Sequence, residues 1–411
     1  MAKTLITFLG KSEKNEYPTV SYCFPDESIY EEESSFPLVL YKYLKPEKMV
    51  ILGTQSSMWH TLFQKEGQTP DEYREQHNHL KHLIEKNERK SITDEQDLNT
   101  DSNWQALKDF LAQTYSGMDI GIIGYGQDEK GQIEILKQVS HHVNKQDQLY
   151  LDITHGFRHL PMLVVLAALY LQRTKQVEIK AIYYGAYDLW VKSGGDYAPV
   201  LDLSGLLKIA DWLSAVDQFN KDGDYAVFAT LLEQDGLPKK HTTQLEKGAF
   251  YERNFNIAAA KQELSGVYKQ LDNVQGLSEL FTESLKHRLE WHTQGSENPY
   301  VRQRNRAEFF LKNRDYVRAA LFAREAYITK NMTGNYNNYS ERERIRETLT
   351  DDNYHKLRML RNLLVHGSYK EVEKMKPKEL RTWQEIQPWI KEEKRLKEEL
   401  KKLMNALFKS A

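Results

Sequence analysis

The chain is poor in cysteine, in long apolar runs and in excess charge of either sign, and each shortage excludes something. A single cysteine, Cys23, cannot close an intramolecular disulfide, so the fold needs no covalent staple and suits a reducing compartment. A cytoplasmic location is the expectation. The apolar run Leu5 to Gly10 is too short for a signal-peptide core and reads as a strand. The longest apolar stretch, Leu160 to Leu171, is well short of a membrane span, so no membrane partner is expected. With 57 basic and 59 acidic residues the net charge is -2, and any contact with RNA must be local. Neither a Walker A lysine motif nor a Gly-x-Gly-x-x-Gly followed by an acid is present, and Gly124-Tyr125-Gly126 is too short to replace them. Kinase and dehydrogenase chemistries are correspondingly weak. There is no internal repeat.

The 411 residues, 40% of them apolar, allow two or three ordinary domains of roughly 150 residues each. Five short apolar runs, Leu5 to Leu9, Met49 to Leu52, Ile120 to Ile123, Leu149 to Ile153 and Ala181 to Tyr184, alternate with helical patterns. Continuous rather than alternating hydrophobicity predicts a doubly wound parallel sheet covered on both faces, a Rossmann-like α/β domain. Gln64 to Asn103 is charged and polar, with helical pieces around Asp71 to Glu88 and a turn-rich stretch from Ser91 to Ser102, and reads as a surface excursion. After Leu203 helical spacing takes over, as in Leu206, Leu207, Ile209, Ala210, Leu213 and Val216. The expected organisation is a sheet domain over 1–205, a helical connecting segment over 206–298 and an all-α domain over 299–411. The tail from Lys391 to Lys409 alternates Lys and Glu, the pattern of a solvated helix face.

In a doubly wound sheet, ligands sit beyond the carboxyl ends of the strands. There the sequence offers Gly10-Lys11-Ser12, Gly53 to Ser57, Gly124-Tyr125-Gly126, Thr154 to Arg158 and Gly185 to Asp188. The richest is Asp152-Ile153-Thr154-His155-Gly156-Phe157-Arg158, which leads into the most apolar helix. Gly156 permits a tight turn, the helix N-terminus offers N–H groups to phosphate, and Arg158 adds a planar fork. With Thr54, Gln55, Ser56 and Ser57 these residues predict a nucleotide pocket. Two blander roles compete: Asp152 as a turn cap and His155 as a partner for buried backbone groups. His155 and His159 also have i,i+4 spacing, but the glutamate of a His-Glu-x-x-His zinc site is missing and an arginine stands between them, so no metal is expected.

The second constellation is Arg361-Asn362-Leu363-Leu364-Val365-His366 in a helical pattern. Asn362 and His366 share a face and Arg361 lies at its shoulder. A cation, an amide and an imidazole suit metal-free RNA cleavage, in which a 2′-OH attacks the adjacent phosphorus and a 2′,3′-cyclic phosphate results. A solvated helix edge is the competing reading, because Arg-x4-His arises about once by chance in such a chain. Arg74 and His79 have the same spacing in a wholly polar stretch, whereas Leu363, Leu364 and Val365 give the later copy apolar residues to bury.

These segments resemble a family: the CRISPR-associated ribonucleases of type III systems that join a CARF sensor domain to a HEPN nuclease domain. Asp152 to Gly156 resembles that family's Asp-x-Thr-His-Gly signature, and Arg361 to His366 its HEPN Arg-x4-His motif. The resemblance implies a homodimer in which two CARF domains share one cyclic oligoadenylate, with cyclic tetra-adenylate favoured over the hexamer. It also implies that two HEPN domains pool Arg361, Asn362 and His366 to cleave single-stranded RNA without a cofactor. The ligand role falls on Gly10, Lys11, Thr54, Gln55, Ser56, Thr154, His155, Gly156 and Arg158. Some CARF domains slowly cleave their own activator, so a ring nuclease activity belongs to the same expectation. The rival is a non-catalytic, ligand-responsive regulator whose helical part contacts DNA or a protein, with Arg302 to Arg318 as the candidate recognition helix.

Overall fold

Each of the five apolar runs becomes a strand in the computed structural model: β1 (Lys3–Leu9), β4 (Lys48–Gly53), β5 (Met118–Ile122), β6 (Gln148–Asp152) and β7 (Glu178–Gly185). The structure describes all residues except 13–16, 34, 66–67, 93–94, 158, 294–298, 335, 337, 368–374 and 410–411. The five strands lie in the order β7-β6-β1-β4-β5 and every neighbouring pair is parallel.

Three further strands, β2 (Val20–Cys23), β3 (Ile29–Glu33) and β8 (Ala198–Asp202), extend the sheet to β3-β2-β8-β7-β6-β1-β4-β5. β8 runs antiparallel to β7 and β3 antiparallel to β2, while β2 and β8 are parallel. The expected all-parallel sheet is therefore mixed. The added strands have four or five residues, three acids end β3 and a proline sits in β8, features that work against a strand reading.

Alternate side chains of the inner strands point to opposite faces, and both faces are covered. Leu5, Met49 and Ile51 pack with Phe36, Val39, Leu107 and Phe110 on one side; Ile6, Val50 and Leu52 pack with Ile135, Val139, Val164 and Leu171 on the other. Helices Phe36–Leu44, Arg74–Glu88 and Ser102–Thr114 cover the first face, and Glu129–His141 and Leu160–Lys175 the second. Each fully buried Leu or Ile contributes about 1.5–3 kcal/mol, which explains the unbroken apolar runs. The stretch from Gln64 to Asn103 is part of this cover, since Leu80, Leu83, Ile84 and Leu98 are buried in it. The helical piece expected around Asp71 to Glu88 is present as Arg74–Glu88, but its few apolar residues face the sheet rather than leaving it a surface excursion.

The chain divides into two compact units, Met1–Leu207 and Lys208–Ala411. The second is helical, and a single apolar core runs from Trp212 to Phe408. Residues on both sides of 294–298 share it. Helix Tyr316–Lys330 is buried along Ala319, Ala320, Phe322, Ala323 and Ala326. The buried Arg306 pairs with Glu252 at 2.6 Å and lies over the rings of Phe309 and Phe310 at 4.2 and 4.9 Å.

Candidate functional sites at the strand ends and on a helix edge

The ends of β1 and β6 meet so closely that side chains are excluded. A Cβ on Gly10 would stand 2.6 Å from the Gly156 nitrogen, and Gly156 itself has φ 104°, a region that only glycine occupies cheaply. Below this turn, the fully buried Asp152 accepts from Thr7 Oγ1 at 2.5 Å and from the Thr154 nitrogen at 2.8 Å. Thr154 Oγ1 accepts from the Gly185 nitrogen at 2.8 Å, tying the turn to β7. Burial pushes the Asp152 carboxyl up to about 6, against the pull of those hydrogen bonds. His155 packs on Tyr17 with ring centroids 4.6 Å apart. Burial lowers its pKa to about 4, so the ring is neutral at pH 7, and its buried Nε2 has no partner among the described residues.

Around the close approach lies a cavity of about 120 Å³, lined by Leu9, Gly10, Lys11, Thr54, Ser56, Ser57, Gly156, Phe157 and Leu160. Five residues expected at a ligand site, Gly10, Lys11, Thr54, Ser56 and Gly156, are thus brought together. Gln55, Thr154 and His155 are not in the lining, and Arg158 lies outside the described residues. Thr154 builds the turn, and Gln55 is occupied elsewhere: its Nε2 donates to Asp97 Oδ1 and its Oε1 accepts from the Leu98 nitrogen, both at 2.9 Å. Lys11 pairs with Glu88. Ser56 Oγ and Tyr125 Oη both donate to Glu95 Oε1 at 2.6 Å, and the Tyr125 ring meets Phe157 at 5.4 Å.

Tyr125 and Phe157 stand in strand-end runs that the sequence singles out, though neither is among its expected ligand residues; Glu88 and Glu95 are not signalled at all. The two glutamates lie in a segment whose return to the strand ends leaves no periodic trace. His159 Nε2 is 2.8 Å from the Tyr125 carbonyl oxygen, and the helix that starts beside it, Leu160–Lys175, leaves Met162, Leu166 and Tyr170 exposed at four-residue intervals.

In the second unit, Asp351 caps helix Asp352–His366 by accepting from the Asn353 and Tyr354 nitrogens at 2.8 and 3.0 Å. Gly367, at φ 65°, ends it directly after His366. Arg361, Asn362 and His366 therefore occupy its last two turns. Arg361 is half-buried; burial, then the nearby charges of Arg324 and Arg346, lower its pKa, while Glu325 opposes them. Arg324 Nη1 bonds Glu325 at 2.9 Å and Arg342 Nη2 bonds it at 2.5 Å, neutralising part of this cluster. Asn362 is half-buried and His366 exposed. Of the three apolar residues between them only Leu363 enters the core, while Val365 is 45% exposed, because successive helical residues are turned about 100° apart. His355 and Arg358, 3.2 Å apart, lie on the same helical face one to three turns earlier.

Comparison with known proteins bears on the sheet unit. Residues 4–188, most of the sheet unit, match the family model described as the CARF domain of the CRISPR system endoribonuclease Csx1. The chain is also similar to the CRISPR-associated protein MJ1674 of Methanocaldococcus jannaschii, 29% identical over 272 residues. That match takes in 61% of this chain and 41% of the relative, less than half of the relative's length. Together these similarities support a CRISPR-associated protein with a ligand-sensing CARF domain. Among the described residues no helix is long and apolar enough to cross a membrane.

Proposed function

We propose that the chain is an endoribonuclease of type III CRISPR defence, activated by a cyclic oligoadenylate, cyclic tetra-adenylate being favoured, and cleaving single-stranded RNA without a metal. The observation that carries the sensor half is the convergence of Gly10, Lys11, Thr54, Ser56 and Gly156 on one cavity in a unit matching the Csx1 CARF family. A cavity of about 120 Å³ accommodates one phosphate or sugar of a ring, and the remainder extends outward. The helix that begins at this cavity exposes Met162, Leu166 and Tyr170. Pairing two copies through that apolar stripe would remove it from water and bring two strand-end cavities to one ring, as a homodimer requires.

In the nuclease half, the exposed His366 of one copy takes the proton of the attacking 2′-OH. The 2′-oxygen bonds to phosphorus, the P–O5′ bond breaks, and the leaving 5′-oxygen receives a proton from the second copy's His366. The Arg361 guanidinium offsets charge on the phosphoryl oxygens, and Asn362 donates a hydrogen bond to the same group. The products are a 2′,3′-cyclic phosphate and a 5′-OH. A regulator acting through a basic helix is less well supported: Arg302 and Arg306 are buried, and Arg304 and Arg318 pair with Glu308 and Asp315.

The test is cleavage of labelled single-stranded RNA in excess chelator. Removal of one general acid–base group costs about 10²–10⁴-fold, so His366→Ala and Arg361→Ala should abolish measurable ring-dependent cleavage while leaving ring binding intact. Wild-type levels of cleavage in both variants would move the chemistry away from this helix edge, and ring binding with no cleavage in the wild type would return the protein to the regulator class.

A further inference from the structure

A carboxylate at the binding site of a polyanion needs a reason, because its charge opposes the ligand. Glu95 is such a group. It lies far from the strand ends in sequence, yet Ser56, which lines the cavity, and Tyr125 both donate to its Oε1 at 2.6 Å. The backbone that follows is fixed as firmly. Asn87 holds Gln96 through two hydrogen bonds of 2.8 and 2.9 Å, and Gln55 holds Asp97 and Leu98. Glu95 is therefore presented rather than left to drift, and the two bonds it receives do not use Oε2. A carboxylate has about four acceptor positions and no donor when ionised, so beyond these two bonds it can accept from water or from a donor on a ligand.

Two kinds of group meet at the cavity. Lys11, Ser56 and the Gly10–Gly156 close approach line it near the start of helix Leu160–Lys175, suited to phosphate. Phe157 lines it too and meets Tyr125 at 5.4 Å and 63°, an aromatic pair suited to a base. Glu95 joins the two, bonded to Ser56 of the first and Tyr125 of the second. In an oligoadenylate ring joined 3′ to 5′, the donors are the adenine amine and the ribose 2′-OH, and the sugar is the part between phosphate and base. We infer that Glu95 is a specificity residue of the strand-end pocket, whose carboxylate accepts a hydrogen bond from a ribose 2′-OH and so selects ribonucleotide over deoxyribonucleotide ligands. The inference rests on the reading of this pocket as a cyclic oligoadenylate site.

The test is calorimetric titration of the full chain and of Glu95→Gln with cyclic tetra-adenylate, its all-2′-deoxy counterpart and the cyclic inosinate tetramer. Glutamine keeps an oxygen for Ser56 and Tyr125, and an unchanged melting temperature confirms an intact fold. The wild type should prefer the ribose ring over the deoxy ring by about tenfold or more, and in Glu95→Gln that ratio should collapse towards one. A ratio unchanged in the variant, with both rings weakened or both tightened alike, overturns the inference and makes Glu95 a structural or merely repulsive group. Loss of discrimination against the inosinate ring, with the ribose preference intact, also overturns it, because the carboxylate would then read the base. Failure of the wild type to bind any of the rings is a different result: it removes the pocket assignment itself.

Discussion

At the scale of single residues, the strand-end turn holds two buried groups whose titrations oppose each other. The pKa of Asp152 is raised to about 6, so in the folded protein it binds a proton that the unfolded chain, near its ordinary carboxyl value, has released. Its contribution is present below about pH 4 and lost as pH rises through 6. His155 is depressed to about 4, and protonation favours the unfolded chain. Its contribution is present above about 6.5 and lost as pH falls through 4. The two nearly cancel between pH 4 and 6. Asp152→Asn should therefore make stability, relative to wild type, rise more steeply with pH in that window, and His155→Gln should make it fall, each by up to a few kcal/mol across the window. Denaturant titrations at a series of pH values read this directly, and pH profiles parallel to wild type in both variants would show that neither group is buried as described. Gly10 gives a second residue-scale prediction. Its Cβ would meet backbone rather than a flexible side chain, so Gly10→Ala should cost about 1–3 kcal/mol in stability and weaken ring binding.

At the scale of elements, legibility followed burial. β1, β4, β5, β6 and β7 are covered on both faces and announced themselves as apolar runs. β2, β3 and β8 are too short and too mixed to do so, and a tertiary neighbour makes each a strand. The Asp152 to Gly156 turn could be read because its chemistry is contiguous in sequence. Arg324, Arg346 and Glu325 beside Arg361 could not, since they come from other helices. The exposed face of helix Leu160–Lys175 was hidden by the apolar character of the whole helix, which gave no sign of which side was left open. If Met162 and Leu166 bury against a second copy, Met162→Glu with Leu166→Glu should turn a dimer into a monomer by analytical ultracentrifugation, with little change in melting temperature of the sheet unit. A wild-type monomer, or a variant that stays dimeric, would remove this helix from the interface.

At the scale of the whole molecule, the chain joins a sheet unit to a helical unit, and near-neutral overall charge leaves recognition to local groups. A ring bound at the strand ends can govern a helix edge in the other unit only if the active and inactive arrangements bind the ring with different affinity. By the same linkage, weakening the ring site must raise the ring concentration needed for cleavage without changing the rate at saturation. The most direct measurement is therefore the single-turnover cleavage rate of labelled RNA against cyclic tetra-adenylate concentration, in excess chelator, for wild type and Gly10→Ala. Ring-gated cleavage predicts negligible rate without the ring, saturable activation in wild type, and a midpoint shifted to higher concentration in the variant with the same plateau. Cleavage that proceeds equally without the ring, or a variant curve that overlays the wild type, would contradict it.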